Sequence, residues 1–426
     1  MDIHHAAQPH EIAHVYRRNL SSGRARLADM LGGQVEVESN GAWVTTSDGQ
    51  KYLNAGGYGV LLHGSRHPTV VAEVERQLRT HPVATRVFLE PAAARAAELL
   101  TSVTPDGLDR VFFANSGAEA TEAAIKIARL NGRRHLISMI GGYHGKTLGA
   151  LSVTAKDVFQ QPFRPLLPDV THVPYGDTTA LAAALDTCPG RACVIVEPIQ
   201  GEAGVVIPPA GYLRNVRMLC TEYDALLVAD EIQTGLGRLG AWWGADLAGV
   251  TPDLLLAGKI LGGGVMPVGG VAATAELFAP LNADPLLHSS TFAGSPLAAA
   301  AVTATIGAIK SEGLIQRARE LGPQVRGAAA DAVKAHCPHL VTEVRDQGLL
   351  IGIDFVSAEA ATEFLIGLLD EHVIASYSLN SGNVLRLTPP AVLDAADLGW
   401  LERALISAAV HVSRTMPATA GTQLLT

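Results

Sequence analysis

The chain has 426 residues, of which 48% are hydrophobic and 17% charged, and this composition predicts a large buried interior and two interlocked domains. Lysine and arginine number 32 against 41 aspartate and glutamate residues, which gives a formal net charge of −9 with histidine neutral. The chain therefore has a net negative charge, and it contains no basic block and no basic stripe with interleaved aromatics. Nucleic acid is excluded as an expected partner on this ground.

The first segments in chain order predict an arm followed by a β-hairpin. Residues 1–5 carry no basic segment ahead of an apolar run, so we expect no secretion signal. Residues 1–35 are polar and irregular, which indicates an arm with a short helix. Alternation from Val35 and a turn at Ser47-Asp48-Gly49 predict a hairpin over residues 35–54.

From about Pro68 onward, helical patterns alternate with short apolar runs. The pattern predicts helices over residues 70–79, 91–100 and 118–130. The apolar runs are residues 111–114, 135–140, 192–196, 225–229, 253–257 and 270–274. Near-continuous apolar strands separated by helices are typical of a parallel sheet that is covered on both faces.

The last third of the chain predicts a packed helix and then a smaller α+β domain. The apolar stretch 293–309 contains Gly, Ser, Pro and Thr and is short for a membrane span, so we interpret it as a packed helix. Beyond about Lys310 come a long helix, alternating segments and a final helix. The four cysteines have neither metal-ligand spacing nor the density of a disulfide framework. We therefore expect a cytoplasmic protein with no membrane partner and no metal site.

Residues that could bind a ligand or take part in catalysis follow four of the predicted strands. In open α/β sheets, ligands bind outside the carboxyl ends of the strands. The turn at 115–118 is small and begins a helix, which favours a phosphate site, although a serine-capped turn is the alternative. Glu197, Asp230 and Lys259 each follow an apolar run directly. The sequence therefore predicts that an anion site, two acids and a lysine meet at one edge of the sheet.

Asp230 and Lys259 indicate a particular chemistry. An ionised Asp230 behind five apolar residues needs a cationic partner, either a protonated pyridine nitrogen or an arginine in a structural salt bridge. Apolar neighbours predict a lowered pKa for Lys259, which would make it an imine-forming nucleophile and not a surface lysine. The glycine run 262–270 lacks the dinucleotide pattern. His144 has no Ser or Cys motif beside it, and we interpret it as a packed histidine.

The assembled motifs resemble those of the class III, fold-type I aminotransferases, which use pyridoxal 5′-phosphate (PLP), over about residues 20–410. The segments that carry the resemblance are residues 115–120, 141–152, 197–202, 230–238, 257–259, 290–292 and 385–390. It implies an α/β fold, the PLP-dependent transferase fold type I, whose large domain has a mostly parallel seven-stranded sheet flanked by helices. It also implies a smaller α+β domain built from both termini. We place the boundaries at 1–65 (arm and part of the small domain), 66–310 (large PLP-binding domain) and 311–426 (C-terminal small domain).

The resemblance also implies the roles of the cofactor-binding residues. It assigns the phosphate to Ser116, Gly117 and Ala118, stacking on the ring to Tyr143, the ring nitrogen to Asp230, the ring hydroxyl to Gln233 and covalent attachment to Lys259, with Lys259 and Asp230 as the catalytic pair. In such families, residues equivalent to Ser290 and Thr291 reach the phosphate of the neighbouring subunit. The active unit that follows from this is a homodimer.

The resemblance further implies a switch between two substrates. Arg386 would bind the carboxylate of an oxo acid, and Glu202 would neutralise Arg386 when the substrate has no carboxylate there. The chain resembles putrescine (diamine) aminotransferases in particular, through residues 144–156, 166–176 and 261–269. Acetylornithine enzymes usually carry arginine where this chain has Lys146. That difference favours a donor without an α-carboxylate and makes Lys146 a further candidate substrate-binding residue.

The leading hypothesis is a ping-pong transaminase that moves an amino group from a terminal (omega) amine, such as a diamine, to 2-oxoglutarate or pyruvate. Ornithine or acetylornithine aminotransferase is the alternative on the same scaffold. Amination of a specialised-metabolite aldehyde would preserve the same cofactor residues. An aminomutase or racemase would need no oxo-acid acceptor, and a non-catalytic binding protein would not need Lys259.

Overall fold

The computed structural model describes residues 9–417 of the chain. The expectation that the chain starts without a secretion signal falls on residues 1–5 and lies outside that range. Within the described part, no single helix has the length and apolar composition of a membrane span, and one pair, Pro296–Ser311 and Leu314–His336, meets that test only together while bent by 67°. A cytoplasmic location stays a prediction.

The elements follow each other as the alternating sequence pattern predicts. The helices are α1 Pro9–Val15, α2 Ser22–Met30, α3 Pro68–Thr80, α4 Pro91–Thr101, α5 Gly117–Leu130, α6 Leu148–Val153, α7 Asp157–Gln160, α8 Thr178–Asp186, α9 Tyr212–Glu222, α10 Gly244–Ala248, α11 Ala275–Ala283, α12 Pro296–Ser311, α13 Leu314–His336, α14 Ala358–Asp370 and α15 Ala395–Thr415. The strands are β1 Glu36–Asn40, β2 Trp43–Thr46, β3 Lys51–Asn54, β4 Arg110–Ala114, β5 His135–Met139, β6 Val170–Val173, β7 Ala192–Val196, β8 Leu226–Asp230, β9 Leu254–Ala257, β10 Gly269–Ala273, β11 Val341–Gln347, β12 Leu350–Phe355, β13 Val373–Ile374, β14 Ser376–Ser378 and β15 Ser381–Leu387.

A seven-stranded sheet forms the centre of the molecule, in the order β4-β10-β9-β8-β7-β5-β6. Neighbouring strands from β9 to β6 are parallel, and β7, β8 and β9 are buried along their whole length. The predicted mostly parallel sheet is therefore confirmed. One strand differs: β10 runs antiparallel to both β9 and β4. The apolar residues of β10 do not indicate whether this strand runs parallel or antiparallel to its neighbours.

The antiparallel strand β10 lies between β4 and β9 and leaves these two strands pointing in the same direction. Because β10 opposes both of its neighbours, β4 runs in the same direction as β9, β8 and β7. The carboxyl ends of these strands consequently lie at one edge of the sheet. Gly269, at the start of β10, lies so close to the turn after β4 that an added Cβ would come within 2.3 Å of the Ser116 carbonyl oxygen. Only glycine fits there.

Two smaller sheets flank this centre. One has the order β1-β2-β3-β13 and the other β11-β12-β15-β14. The predicted hairpin over residues 35–54 contains three strands instead of two, because β1 adds to the β2–β3 hairpin. β13, from the C-terminal part, pairs with β3, from the N-terminal part. This pairing joins an N-terminal strand to a C-terminal strand, while the domain boundaries at residues 65 and 310 stay predictions.

Helix α12 confirms the interpretation of the apolar stretch 293–309 as a packed helix. It begins after the cap residue Ser295, whose side chain accepts a hydrogen bond from the N–H of Ala298. Most of its alanines and its two isoleucines are buried against α3 and α4. Small side chains on every face suit a helix that is enclosed on several sides.

Candidate active site

The residues that follow the strands meet around one cavity of about 460 Å³. Its walls contain most of the site residues that were predicted from the sequence. The lining residues are Gly117, Ala118, Tyr143, His144, Gly145, Lys146, Thr147, Glu197, Glu202, Asp230, Ile232, Gln233 and Lys259. The parallel direction of β4, β7, β8 and β9 explains this convergence, because each strand delivers its following residue to the same edge.

The turn between β4 and α5 has the form of an anion cradle. Ser116 caps α5, and its side chain accepts a hydrogen bond from the N–H of Glu119. The first N–H groups of a helix have no partner within the helix, so those of Gly117 and Ala118 can bind a ligand. A Cβ on Gly117 would come within 2.8 Å of Ile232 Cδ1, and one on Gly145 within 2.6 Å of Ala118 Cβ. Both glycines keep the cradle open.

Asp230 ends β8 and is 3% exposed. Its Oδ1 accepts the N–H of Ile232 at 3.1 Å, and its Oδ2 accepts a hydrogen bond from His144 Nδ1 at 2.7 Å. Burial acts to lower the pKa of His144, but the hydrogen bond and charge of Asp230 and the charge of Glu197 together raise it. His144 is packed, as expected, whereas its bond to Asp230 has no signal in the sequence.

Glu197 is a second buried acid on the same side of the cavity. Its two carboxylate oxygens accept the N–H groups of Tyr143 at 2.9 Å and Gly201 at 3.2 Å. Burial raises the pKa of Glu197 to about 7; the charge of Asp230 adds to this, and His144 opposes it. Glu197 thus joins the turn that carries Tyr143 to the turn that carries Glu202.

Lys259 follows β9 and has a left-handed backbone with φ of 45°. Such a conformation is strained for a residue with a Cβ and recurs at functional sites. Burial lowers the pKa of Lys259 to about 8, and Arg386 adds to this against the opposing charges of the nearby acids. Its Nζ donates a short hydrogen bond to Gln233 Oε1. Within the described residues, Gln233 Nε2 is buried and has no hydrogen-bond partner.

Glu202 and Arg386 form an ion pair beside Lys259. Glu202 Oε1 lies 2.8 Å from Arg386 Nη1, and the side chains are 7% and 1% exposed. Arg386 lies on β15 and also donates to the Gly201 carbonyl oxygen at 3.3 Å. Burial acts to raise the pKa of Glu202, but the charges of Arg386 and Lys259 and a hydrogen bond from Leu379 together lower it. The lowered pKa favours the carboxylate form of Glu202 beside the Arg386 guanidinium.

Three of the residues that were predicted to belong to the site make contacts away from Lys259 within this chain. Lys146 is exposed, and its Nζ lies 4.1 Å from the centre of the Phe159 ring. Ser290 Oγ accepts a hydrogen bond of 2.8 Å from Asn115 Nδ2, and Thr291 lines a separate cavity of about 340 Å³. Neither Ser290 nor Thr291 lines the cavity around Lys259.

Comparison with known proteins identifies the family. The model of the aminotransferase class-III family matches residues 28–409. The chain belongs to the class-III aminotransferases. An ornithine aminotransferase from Toxoplasma gondii is 30% identical, with a TM-score of 0.88, over 96% of this chain and 95% of that one. A transaminase from the marine bacterium Virgibacillus is 26% identical, with a TM-score of 0.84, over 90% and 94% of the two chains.

A third structure extends the likeness of fold. The omega transaminase from Pseudomonas jessenii, in complex with PMP, is 23% identical over 92% of this chain and 95% of that one, with a TM-score of 0.85. This class-III aminotransferase is thus a PLP-dependent transaminase of the fold-type I architecture that the resemblance implied. Closeness to putrescine aminotransferases in particular is not among these likenesses.

The residues around the cavity fit PLP. The glycine-lined cradle at the start of α5 suits a phosphate, and buried Asp230 suits a cationic ring nitrogen. The unpartnered Nε2 of Gln233 offers a donor to a ring oxygen. Lys259, buried and with a lowered pKa, has the character of an imine-forming lysine.

Proposed function

We propose that this class-III aminotransferase transfers an amino group from a terminal amine, in particular a diamine such as putrescine, to 2-oxoglutarate or pyruvate by a ping-pong mechanism. The observation that carries the proposal is the buried ion pair of Glu202 and Arg386. Because Glu202 already neutralises Arg386, an amine donor without a carboxylate leaves no unpaired charge in the cavity. An oxo acid can then occupy the same cavity by replacing Glu202 at Arg386.

The proposed roles of the cofactor residues follow from their positions. Lys259 attaches PLP and moves the proton through its Nζ, whose pKa of about 8 allows both acceptance and return near neutral pH. Asp230 and His144 hold a cationic ring nitrogen, and Gln233 donates to the ring oxygen. When bound, PLP supplies an electron sink for the carbon that carries the amino group.

The remaining cofactor and substrate residues complete this assignment. Ser116, Gly117 and Ala118 bind the phosphate at the start of α5. Tyr143 lies on the cavity wall and is proposed to stack on the ring, which keeps the ring flat and excludes water. Lys146 stands at the outer rim as a contact for the substrate.

A second candidate function is transfer from ornithine or an acylated ornithine. It is favoured by the 30% identity to the ornithine aminotransferase of Toxoplasma gondii along nearly the whole chain. An α-amino acid donor of this kind brings a carboxylate that needs its own cation, and Lys146 would be the cation at the rim. The two candidates therefore differ in whether the donor must carry an α-carboxylate.

The deciding experiment is a visible absorbance spectrum of the holoenzyme before and after separate additions of putrescine, ornithine and glutamate. The proposal expects putrescine to convert the lysine-bound PLP band to the pyridoxamine form. Putrescine is ornithine without its carboxylate, so these two donors differ in that group alone, whereas 5-aminovalerate keeps the carboxylate and lacks only the α-amino group. Conversion by ornithine and glutamate but by no simple terminal amine would replace the first candidate with the second.

We further propose a homodimer in which Ser290 and Thr291 of one subunit complete the phosphate site of the other. Large apolar side chains lie exposed close by, with Phe88 79%, Leu89 102% and Phe292 59% accessible in the single chain. Burying such a surface stabilises association. Arg86 also holds the backbone oxygens of Ser290, Thr291 and Ala293 in place.

Mixed subunits test this arrangement directly. Lys259→Ala and the double variant Ser290→Ala/Thr291→Ala are each expected to have little activity alone. After denaturation and joint refolding, half of the dimers are hybrids with one intact site, so activity should recover to about a quarter of wild type. Recovery fails if Ser290 and Thr291 serve the site of their own chain.

A further inference from the structure

Glu202 is held by two separate parts of the molecule. Its Oε1 pairs with Arg386, whereas its Oε2 accepts a hydrogen bond of 2.9 Å from the backbone N–H of Leu379. Leu379 lies in the turn between β14 and β15, and Glu202 follows β7 of the central sheet. A turn from the C-terminal sheet therefore supplies a donor to the ion pair that neutralises Arg386.

This turn, residues 379 and 380, is called the hairpin tip below. Three more hydrogen bonds fasten it to the region around the central sheet. The N–H of Asn380 donates to the Glu202 carbonyl oxygen at 2.8 Å, Asn380 Nδ2 donates to the Gly141 carbonyl oxygen at 2.7 Å, and Lys156 Nζ donates to the Asn380 carbonyl oxygen at 2.7 Å. Asn380 Nδ2 also donates a longer bond of 3.5 Å to the Gly142 carbonyl oxygen, and together these bonds hold the hairpin tip against Glu202.

The contact with Leu379 bears on how readily Glu202 can leave Arg386. Both carboxylate oxygens are satisfied while Glu202 is paired, and Glu202 is 5% exposed. If the carboxylate moves away from Arg386, the charge-assisted bond from Leu379 is lost as well and its part-buried N–H has no carboxylate to bind. Hydrogen bonds to charged groups are stronger than neutral ones, so this loss opposes the movement.

We propose that the hairpin tip is a latch that holds Glu202 on Arg386 and thereby weakens the binding of any ligand whose carboxylate must replace Glu202 there. The latch biases the cavity towards amine donors without such a carboxylate. The inference rests on the proposed function in one respect, that Arg386 is the carboxylate-binding residue. It does not depend on which amine is the donor.

A single substitution can remove the latch bond. Leu379→Pro deletes the N–H that binds Glu202, because proline has no backbone N–H. Leu379 is not among the residues with a positive φ, so its backbone does not lie in the left-handed region that excludes proline. Leu379→Ala keeps the N–H and is the matched control, because the Leu379 side chain is 45% exposed.

The readout is the affinity of the holoenzyme for glutarate, a dicarboxylate that resembles 2-oxoglutarate but has no oxo group to transaminate. Leu379→Pro is expected to bind glutarate about tenfold more tightly than Leu379→Ala, because opening the ion pair no longer breaks a bond to a charged group. Calorimetric titration measures both constants. A correctly folded Leu379→Pro enzyme with the affinity of Leu379→Ala overturns the proposal.

Two further variants cover the case in which Leu379→Pro does not fold. Asn380→Ala and Lys156→Met loosen the hairpin tip without touching the N–H of Leu379, and each should tighten glutarate binding by about twofold to threefold. Unchanged affinity in both variants overturns the latch. The donor assignment is judged separately, because putrescine can fail to convert the enzyme while the glutarate comparison still gives its answer.

Discussion

The two sides of the cavity around Lys259 are built in different ways. On the cofactor side, Glu197, Asp230 and Lys259 stand at or just beyond the ends of β7, β8 and β9, and the buried sheet determines where each one lies. On the substrate side, Glu202 lies in the loop after β7 of the central sheet, and Arg386 lies on β15 of the sheet β11-β12-β15-β14. They meet through one ion pair and the contact of Glu202 with Leu379.

This difference separates, in physical terms, the part of the site that serves the cofactor from the part that selects the substrate. A parallel sheet is rigid, so groups at its edge keep their spacing and suit a cofactor that every substrate must use. An ion pair between two sheets has two possible arrangements, and small changes around it alter which ligand is favoured. Family membership therefore establishes PLP and transamination but leaves the donor open.

The cofactor side should fail completely when its lysine is removed. Lys259→Ala is expected to lower the rate of transamination by about 10³-fold or more, because both the attachment point and the proton carrier are lost. The measurement is single-turnover conversion by an amine together with the visible absorbance spectrum. Lys334→Ala, at an exposed position on α13, is the matched control. Full activity of Lys259→Ala would contradict the assignment of the site.

A change at Arg386 on the substrate side should slow the half-reaction with the oxo acid more than the half-reaction with the amine. Arg386→Met is expected to raise the KM for 2-oxoglutarate by about 100-fold, because a bidentate bond to the carboxylate is lost. The rate with an amine that has no carboxylate should change far less. Pre-steady-state measurement of each half-reaction separates the two effects. Equal losses in both half-reactions would show that Arg386 does not discriminate between the substrates.

The same variant should also be unstable, since it leaves Glu202 charged and buried without its partner. Removing one member of a buried ion pair costs about 3–5 kcal/mol of the free energy of unfolding. The double variant Glu202→Gln/Arg386→Met removes both charges and should recover most of that stability. Urea unfolding of the three proteins tests this, and a double variant no more stable than Arg386→Met would contradict the account.

Much of the cofactor side could be predicted from the sequence, because the end of each apolar run shows where the corresponding strand ends. The apolar runs before Asp230 and Lys259 placed both residues at the sheet edge. The direction of β10 could not be predicted, because an apolar run looks the same in either direction. The contact of Leu379 with Glu202 was also invisible, since it uses a backbone N–H that any residue except proline supplies.

On the cofactor side, His144 could be predicted only in part from the sequence. Its motif was visible, but the link to Asp230 depends on a bond between a loop residue and the last residue of β8, which are 86 residues apart in sequence. His144→Phe is expected to slow the amine half-reaction by about tenfold, because Asp230 loses its side-chain hydrogen-bond donor. His144→Asn, whose amide can still donate, should recover part of the rate. An unchanged pH dependence of the absorbance spectrum in His144→Phe would argue for a merely structural role.

The raised pKa of His144 also predicts how stability depends on pH. The pKa in the folded protein lies above the ordinary value of 6.5, so the protonated histidine contributes stability that is fully present below that value. The contribution is lost as the pH rises through the folded pKa. The difference in free energy of unfolding between wild type and His144→Phe should therefore be larger at about pH 6 than at about pH 9. The opposite trend would mean that His144 is neutral in the folded protein.

The smallest effect is expected at the rim of the substrate side, for Lys146→Ala. The Lys146 side chain is exposed, and its ammonium group lies over the Phe159 ring. A contact of this kind at an exposed site is weak, about 0.5–1 kcal/mol, so kcat/KM for putrescine should change by no more than about fivefold. Ornithine provides the decisive comparison. If Lys146→Ala lowers kcat/KM by tenfold for ornithine alone, Lys146 binds the α-carboxylate and the ornithine-type function is favoured over the diamine one.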